Sequence, residues 1–154
     1  MLLIGSGGLS HEPPVPEIHG AEEAVTERLI AGRNPSPESR DARQSRTVAA
    51  AKAFASGDSR LHPLNPQWDR AFLELLARGE IAAADGFTND AITRDAGKSA
   101  HEIRTWIAAF GALAACGPYE ASIDYYRAIP EWIAGFGAMH ARSLGAAPLH
   151  RDHA

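Results

Sequence analysis

Proline and glycine cut this chain into short helices, since a proline just after a capping residue starts a helix and a glycine past the last turn ends it. Ser36 with Pro37 opens one stretch, which continues through Val48 and Phe54 and stops at Gly57. Asn65 with Pro66 opens another, with Trp68, Phe72, Leu75 and Leu76 inward and Gly79 as its stop. Upstream, Ala21, Val25 and Leu29 recur every four residues as far as Gly32, the pattern of an amphipathic helix. Downstream, a short helix over residues 89–95 ends at Gly97. Ser99 then caps a helix carrying Ile103, Trp106, Ile107, Phe110 and Leu113 to Gly117 and Pro118. Strands are expected at residues 1–4 and 123–129, while residues 132–139 fit strand or helix.

A chain of 154 residues, 45% hydrophobic and 22% charged, has enough apolar material for one core, so a single domain over residues 1–142 with a flexible tail at 143–154 is expected. The formal charge of -4 leaves no basic footprint for phosphates, which argues against a nucleic-acid partner. Cys116 is the one cysteine, so no internal disulfide can form. No basic run precedes a long apolar stretch, and no apolar segment nears the roughly 20 residues that span a bilayer, so a cytoplasmic place is expected. An apolar run at the very first residues also suggests that Met1 is a truncation point or a misplaced start.

Two residues stand out as candidates for chemistry. His11 follows Gly5-Ser6-Gly7-Gly8 at the end of the first expected strand, where α/β proteins present functional groups. Amides in such a glycine run can cradle an anion, although a tight turn bearing a surface histidine has the same pattern. Glu102 lies three residues after Ser99, so the pair reads as a capping box. The same carboxylate also heads the stripe of Trp106 and Phe110, and there it needs helix amides or a metal ion to offset desolvation. Among the other histidines, His19, His62, His101, His140, His150 and His153, no two have the helical spacing of a zinc site. Cys116 reads as packing, and Tyr125, Tyr126 and Trp132 as core aromatics or a ring-binding wall. A hydrolase built on the glycine run would have only Ser6 or Ser10 as nucleophile.

Four strings in order, residues 5–16 (GSGGLSHEPPVP), 62–69 (HPLNPQWD), 96–110 (AGKSAHEIRTWIAAF) and 125–137 (YYRAIPEWIAGFG), resemble the class III extradiol catechol dioxygenases. The resemblance runs from the first residues to about Ala141 and covers only the carboxyl-terminal half of that family. It implies an α/β fold that is helix-rich in this half, with a sheet edge left open where further strands would pair. It also implies an iron(II) site of two histidines and one carboxylate, open to a catecholic substrate of the 2,3-dihydroxyphenylpropionate or 2,3-dihydroxycinnamate type and to O2.

In that pattern His11 matches the catalytic histidine and Glu102 the carboxylate ligand, while both histidine ligands belong to the absent half. The carboxylate would balance the charge of iron(II), and His11 would take a proton from a catechol hydroxyl and later return one. The resemblance further implies association, as a homo-oligomer or with the missing N-terminal half, and an isolated chain without activity. The competing expectation is a non-enzymatic remnant or helical interaction module. In that case Glu102 would bond the Ser99 amide and point away from His11.

Overall fold

The computed structural model describes residues 2–15, 18–32, 34–58 and 60–145, and these form a mixed α/β, helix-rich structure. They fall into two compact units, one of Met1–Glu12 with His62–Ala154 and the other of Pro13–Leu61. The single core expected from composition is therefore confined to the first unit. Every residue of the buried hydrophobic core lies there.

The second unit carries α1 (Glu23–Ala31) and α2 (Pro37–Ala55). Helix α2 starts where the sequence signals it, the Ser36 hydroxyl accepting from the Ser39 amide at 3.3 Å with Pro37 in the first turn. No residue of α2 is buried.

The first unit is built on α3 (Pro66–Ala77), α4 (Asn89–Ala96) and α5 (Ile103–Ala115), followed by the strands β1 (Tyr119–Ile129) and β2 (Ala134–Ser143). Asn65 caps α3, its side chain accepting from the Trp68 amide at 3.1 Å, and Phe72, Leu73 and Leu76 of that helix are almost wholly buried. Leu9, Ile92, Ile103, Trp106 and Phe110 complete the core with them. Trp68 stacks on Phe72 with ring centroids 5.9 Å apart, and Phe87 meets Phe72 edge-on at 5.8 Å. Removing side chains such as Phe72 or Leu76 from water contributes roughly 1.5–3 kcal/mol each.

The strands form an antiparallel pair with a register shift between Ile123 and Tyr125. The open choice at residues 132–139 resolves into a 3-10 turn, Pro130–Trp132, and then strand. Between them Ile133 adopts a left-handed backbone at φ 53°, unusual for a β-branched residue, with its side chain 1% exposed. Burial of that side chain offsets the strain.

Four expectations change. Residues 2–4 form no strand, because no described strand lies alongside to pair with them, and Leu2 and Ile4 stay exposed. Cys116 is exposed rather than packed. Tyr125 and Trp132 are also exposed, meeting Phe136 edge-on at 6.0 and 5.6 Å, so among the three aromatics only Tyr126 turns toward the core. Ser143, expected to open a flexible tail over residues 143–154, ends β2 instead, and residues 146–154, with His150 and His153, lie outside the described residues.

Candidate functional site

The glycine run lies against the first turn of α5, and glycine is what permits it. A Cβ on Gly5 would come within 2.6 Å of the Thr105 carbonyl oxygen, and one on Gly7 within 2.5 Å of Glu102 Cβ. At Gly8 the obstacle would be the His11 ring, 2.6 Å away at Cε1. Side chains of α5 then secure the run. The Thr105 hydroxyl donates to Ser6 O at 2.6 Å, and Trp106 Nε1–H donates to Gly7 O at 3.2 Å.

Glu102 completes this contact from the other side, its Oε2 accepting from the Gly8 amide at 2.8 Å. The capping box read from Ser99 does not form. Ser99 sits inside a 3-10 turn, Lys98–Glu102, so Glu102 itself becomes the helix N-cap with helical backbone angles and no side-chain cap bond. Its carboxylate is thereby free to leave the helix. The one anion given to the Gly8 amide is this carboxylate.

His11 is clamped next to it. Its amide donates to Ala96 O at 2.9 Å, and the residue bridges to Ala134 at the start of β2. Nδ1 lies 2.8 Å from Leu9 O, and because a carbonyl can only accept, Nδ1 carries the proton. In the neutral tautomer with that proton on Nδ1, the lone pair sits on Nε2, which lies 3.6 Å from Glu102 Oε2. The His11 side chain is 11% exposed and that of Glu102 55%, so the imidazole is sheltered while the carboxylate can be reached. Ninety-one positions apart in sequence, the two meet at one place, which the interaction-module expectation did not allow.

Behind His11 lies a polar cluster that the sequence reading missed. Asp69 is fully buried, with Oδ1 accepting from the Ser10 amide at 2.7 Å. Its Oδ2 accepts from the Ser10 hydroxyl at 2.8 Å and from the Tyr126 hydroxyl at 2.7 Å. Burial pushes the Asp69 carboxyl above its usual range, opposed by those donors and by the nearby His11. Tyr126 is pushed well above the ordinary phenol range, first by burial and then by the Asp69 carboxylate. Ser10 also accepts from the Asn65 amide at 2.9 Å, so its buried hydroxyl has both roles filled and cannot serve as the nucleophile of a hydrolase. In the sequence Asp69 stands in the first turn of a helix, where an acid ordinarily faces water and the helix dipole. Its burial had no local sign.

The remaining histidines lie elsewhere. His62 rests its ring nitrogens against the Pro63 and Arg94 carbonyls, His101 meets the Thr93 hydroxyl at 2.9 Å, and His140 pairs with Asp124 at 2.8 Å on the exposed face of the strands. His19 is exposed in the other unit. Among the described residues no three His, Cys, Asp or Glu side chains gather to hold a metal ion. Glu102 thus fits one position of a metal centre and not a whole one. Along the same N-terminal segment runs a groove of about 850 Å³, lined by Leu3, Ile4, Trp106, Phe110, Leu113 and Met139. No helix among the described residues is long and apolar enough to cross a membrane.

Residues 1–137 match the model of a family described as the catalytic LigB subunit of aromatic ring-opening dioxygenase. Proteins named 2,3-dihydroxyphenylpropionate/2,3-dihydroxicinnamic acid 1,2-dioxygenase are similar over most of this chain. That of Paraburkholderia phymatum is 86% identical over 141 residues, covering 92% of this chain and 44% of the relative. That of Burkholderia vietnamiensis is 84% identical over 142 residues, 92% of this chain and 45% of the relative. That of Paraburkholderia xenovorans is 76% identical over 144 residues, 94% of this chain and 46% of the relative. The chain thus spans a little under half the length of these relatives.

Proposed function

This chain belongs to the family of catalytic LigB subunits of aromatic ring-opening dioxygenases, and from that premise we propose that it supplies the proton-transferring base and one iron(II) ligand for extradiol cleavage of 2,3-dihydroxyphenylpropionate or 2,3-dihydroxycinnamate by O2. The observation that carries the reading is the approach of His11 Nε2 to within 3.6 Å of Glu102 Oε2. A base and a hard anionic oxygen side by side suit a reaction in which a diol loses a proton as its oxygens meet a metal.

Within that reaction His11 has one task in two directions. With Nδ1–H committed to Leu9 O, Nε2 can take the proton of a catechol hydroxyl and later return one to a product oxygen. Such transfer contributes about 10²–10⁴-fold in rate. Glu102 would hold iron(II) through a carboxylate oxygen, with the two imidazole ligands coming from the part of the family's length that this chain does not span. Iron(II), when bound there, would supply the electron-transfer chemistry that lets O2 react with the ring diol. Both oxygen atoms enter the product as the carbon–carbon bond beside the diol breaks.

The groove of about 850 Å³ supports association with that remaining part, since apolar side chains lining an open groove beside the site favour cover. The test is reconstitution. Purified chain with iron(II), 2,3-dihydroxyphenylpropionate and air should yield no yellow ring-fission product, and co-expression with the N-terminal part of a relative should restore it. In the restored assembly His11→Gln should lower kcat about 10²–10⁴-fold, and Glu102→Ala should abolish iron retention. Turnover by the chain alone, or an active assembly indifferent to both substitutions, would overturn the proposal.

A further inference from the structure

The Asp69 cluster has no part in proton transfer as described above, yet it adjoins the base through a single peptide group. Asp69 Oδ1 takes the N–H of Ser10, and the carbonyl of that same peptide unit belongs to Leu9, which receives Nδ1–H of His11. A trans peptide is planar with its N–H and C=O opposed, so holding one end fixes the direction of the other. An amide whose N–H is bonded to a carboxylate is also polarised, which makes its carbonyl a stronger acceptor. The series runs from carboxylate to peptide to imidazole without a gap.

The neighbouring contacts leave this peptide little freedom. Asp69 sits on α3, with Phe72 and Leu73 of the same helix buried in the core. The second carboxylate oxygen holds the Ser10 hydroxyl, and the Gly135 amide donates to Ser10 O at 2.8 Å. Gly135 lets β2 lie close, since a methyl group there would collide with Asp69 Oδ2.

We infer that Asp69 is a positioning residue for His11, selecting through the Leu9–Ser10 peptide the tautomer that carries its proton on Nδ1 and offers Nε2 to the site. This rests on the reading of His11 as the base, but it concerns the chain alone and needs neither iron nor substrate. Asp69 touches no reacting atom. Its effect is to keep the ring from adopting the opposite tautomer, in which Nδ1 would confront the carbonyl as a second acceptor.

The experiment is a long-range proton–nitrogen NMR spectrum of the ¹⁵N-labelled full chain at a pH where its imidazoles are neutral, with His11 assigned by loss of its signals in His11→Gln. The wild type should show Nδ1–H. Asp69→Ala should reduce the ratio of Nδ1–H to Nε2–H by about tenfold, the scale of one lost charge-assisted hydrogen bond. Asp69→Asn, which keeps an acceptor without the charge, should shift it the same way by less. Tyr126→Phe and Ser10→Ala remove hydroxyls from the cluster but leave the Ser10 amide in place, so both should retain the wild-type ratio.

Should Asp69→Ala fail to fold, Asp69→Asn decides. An Nε2–H tautomer in the wild type, an unchanged ratio in a folded Asp69 variant, or an equal shift in Tyr126→Phe would each overturn the inference. Failure of every reconstituted assembly to cleave the ring would remove the proposed function while leaving this ratio measurable.

Discussion

The two units are both helical, but their helices form for different reasons. In Pro13–Leu61, α2 is set by local signals: Ser36 caps it, Pro37 fits its first turn, and the backbone amide and Ser36 hydroxyl hold the Glu38 carboxyl below its usual range. No residue of α2 is buried, and Val48 and Ile30 are 45% and 72% exposed. In the other unit α3 has equally good start signals, but it also buries Phe72, Leu73 and Leu76 and carries Asp69 to the His11 loop. Local signals suffice to draw a helix, and only burial gives it something to position.

The largest test of that difference is a pair of truncations. Phe72→Ala should destabilise the first unit by about 3–5 kcal/mol, whereas Val48→Ala on the exposed side of α2 should change stability by within about 0.5 kcal/mol. Urea unfolding followed by circular dichroism reads both. A comparable loss from Val48→Ala would mean that α2 has a buried face after all.

A second pair separates backbone strain from packing. Gly97 and Gly57 both have positive φ, at 95° and 79°. A Cβ on Gly97 would also come within 2.8 Å of His11 O, while nothing lies within 4 Å of one on Gly57. Gly57→Ala should therefore show strain alone, about 1 kcal/mol. Gly97→Ala should cost more, about 2–3 kcal/mol, and displace the His11 amide signal in an NMR spectrum. Equal effects would show that α4 and the His11 loop yield easily.

The smallest effect concerns pH. Burial raises the Asp69 carboxyl above its ordinary 3.8, so the folded state keeps this proton at a pH where the unfolded chain has lost it. Stability from this group is fully present below about pH 4 and is lost as pH rises through the folded value. Subtracting the stability profile of Asp69→Asn from that of the wild type isolates the contribution. The difference should fall as pH is raised from about 4 and then level off. A difference that rises instead would mean that the Ser10 and Tyr126 donors outweigh burial.

Much of the fold was legible because its signals are local. The starts at Pro37, Pro66 and Asn89 and the glycine stops appear as read, since caps and φ preferences act within a few residues, while the strand expected at residues 123–129 begins earlier, at Tyr119. His11 and Glu102 were also legible as candidates. What the pattern at Glu102 could not decide was its partner, because a capping box and an exposed acid at the head of a helix share one sequence signature. The 3-10 turn over Lys98–Glu102 removes the box, and the Gly8 amide provides the alternative.

By itself, then, the sequence determined where helices begin and end and which side chains have suitable chemistry, because those depend on neighbours along the chain. Tertiary structure decided that residues 2–4 remain unpaired, that Tyr125 and Trp132 face outward, and that Asp69 is buried behind His11. The contacts that build the site depend on partners dozens of residues away, with 59 positions separating Ser10 from Asp69 and 94 separating Gly8 from Glu102. Hydrogen bonds and burial act through space, and at such separations periodicity carries no record of them.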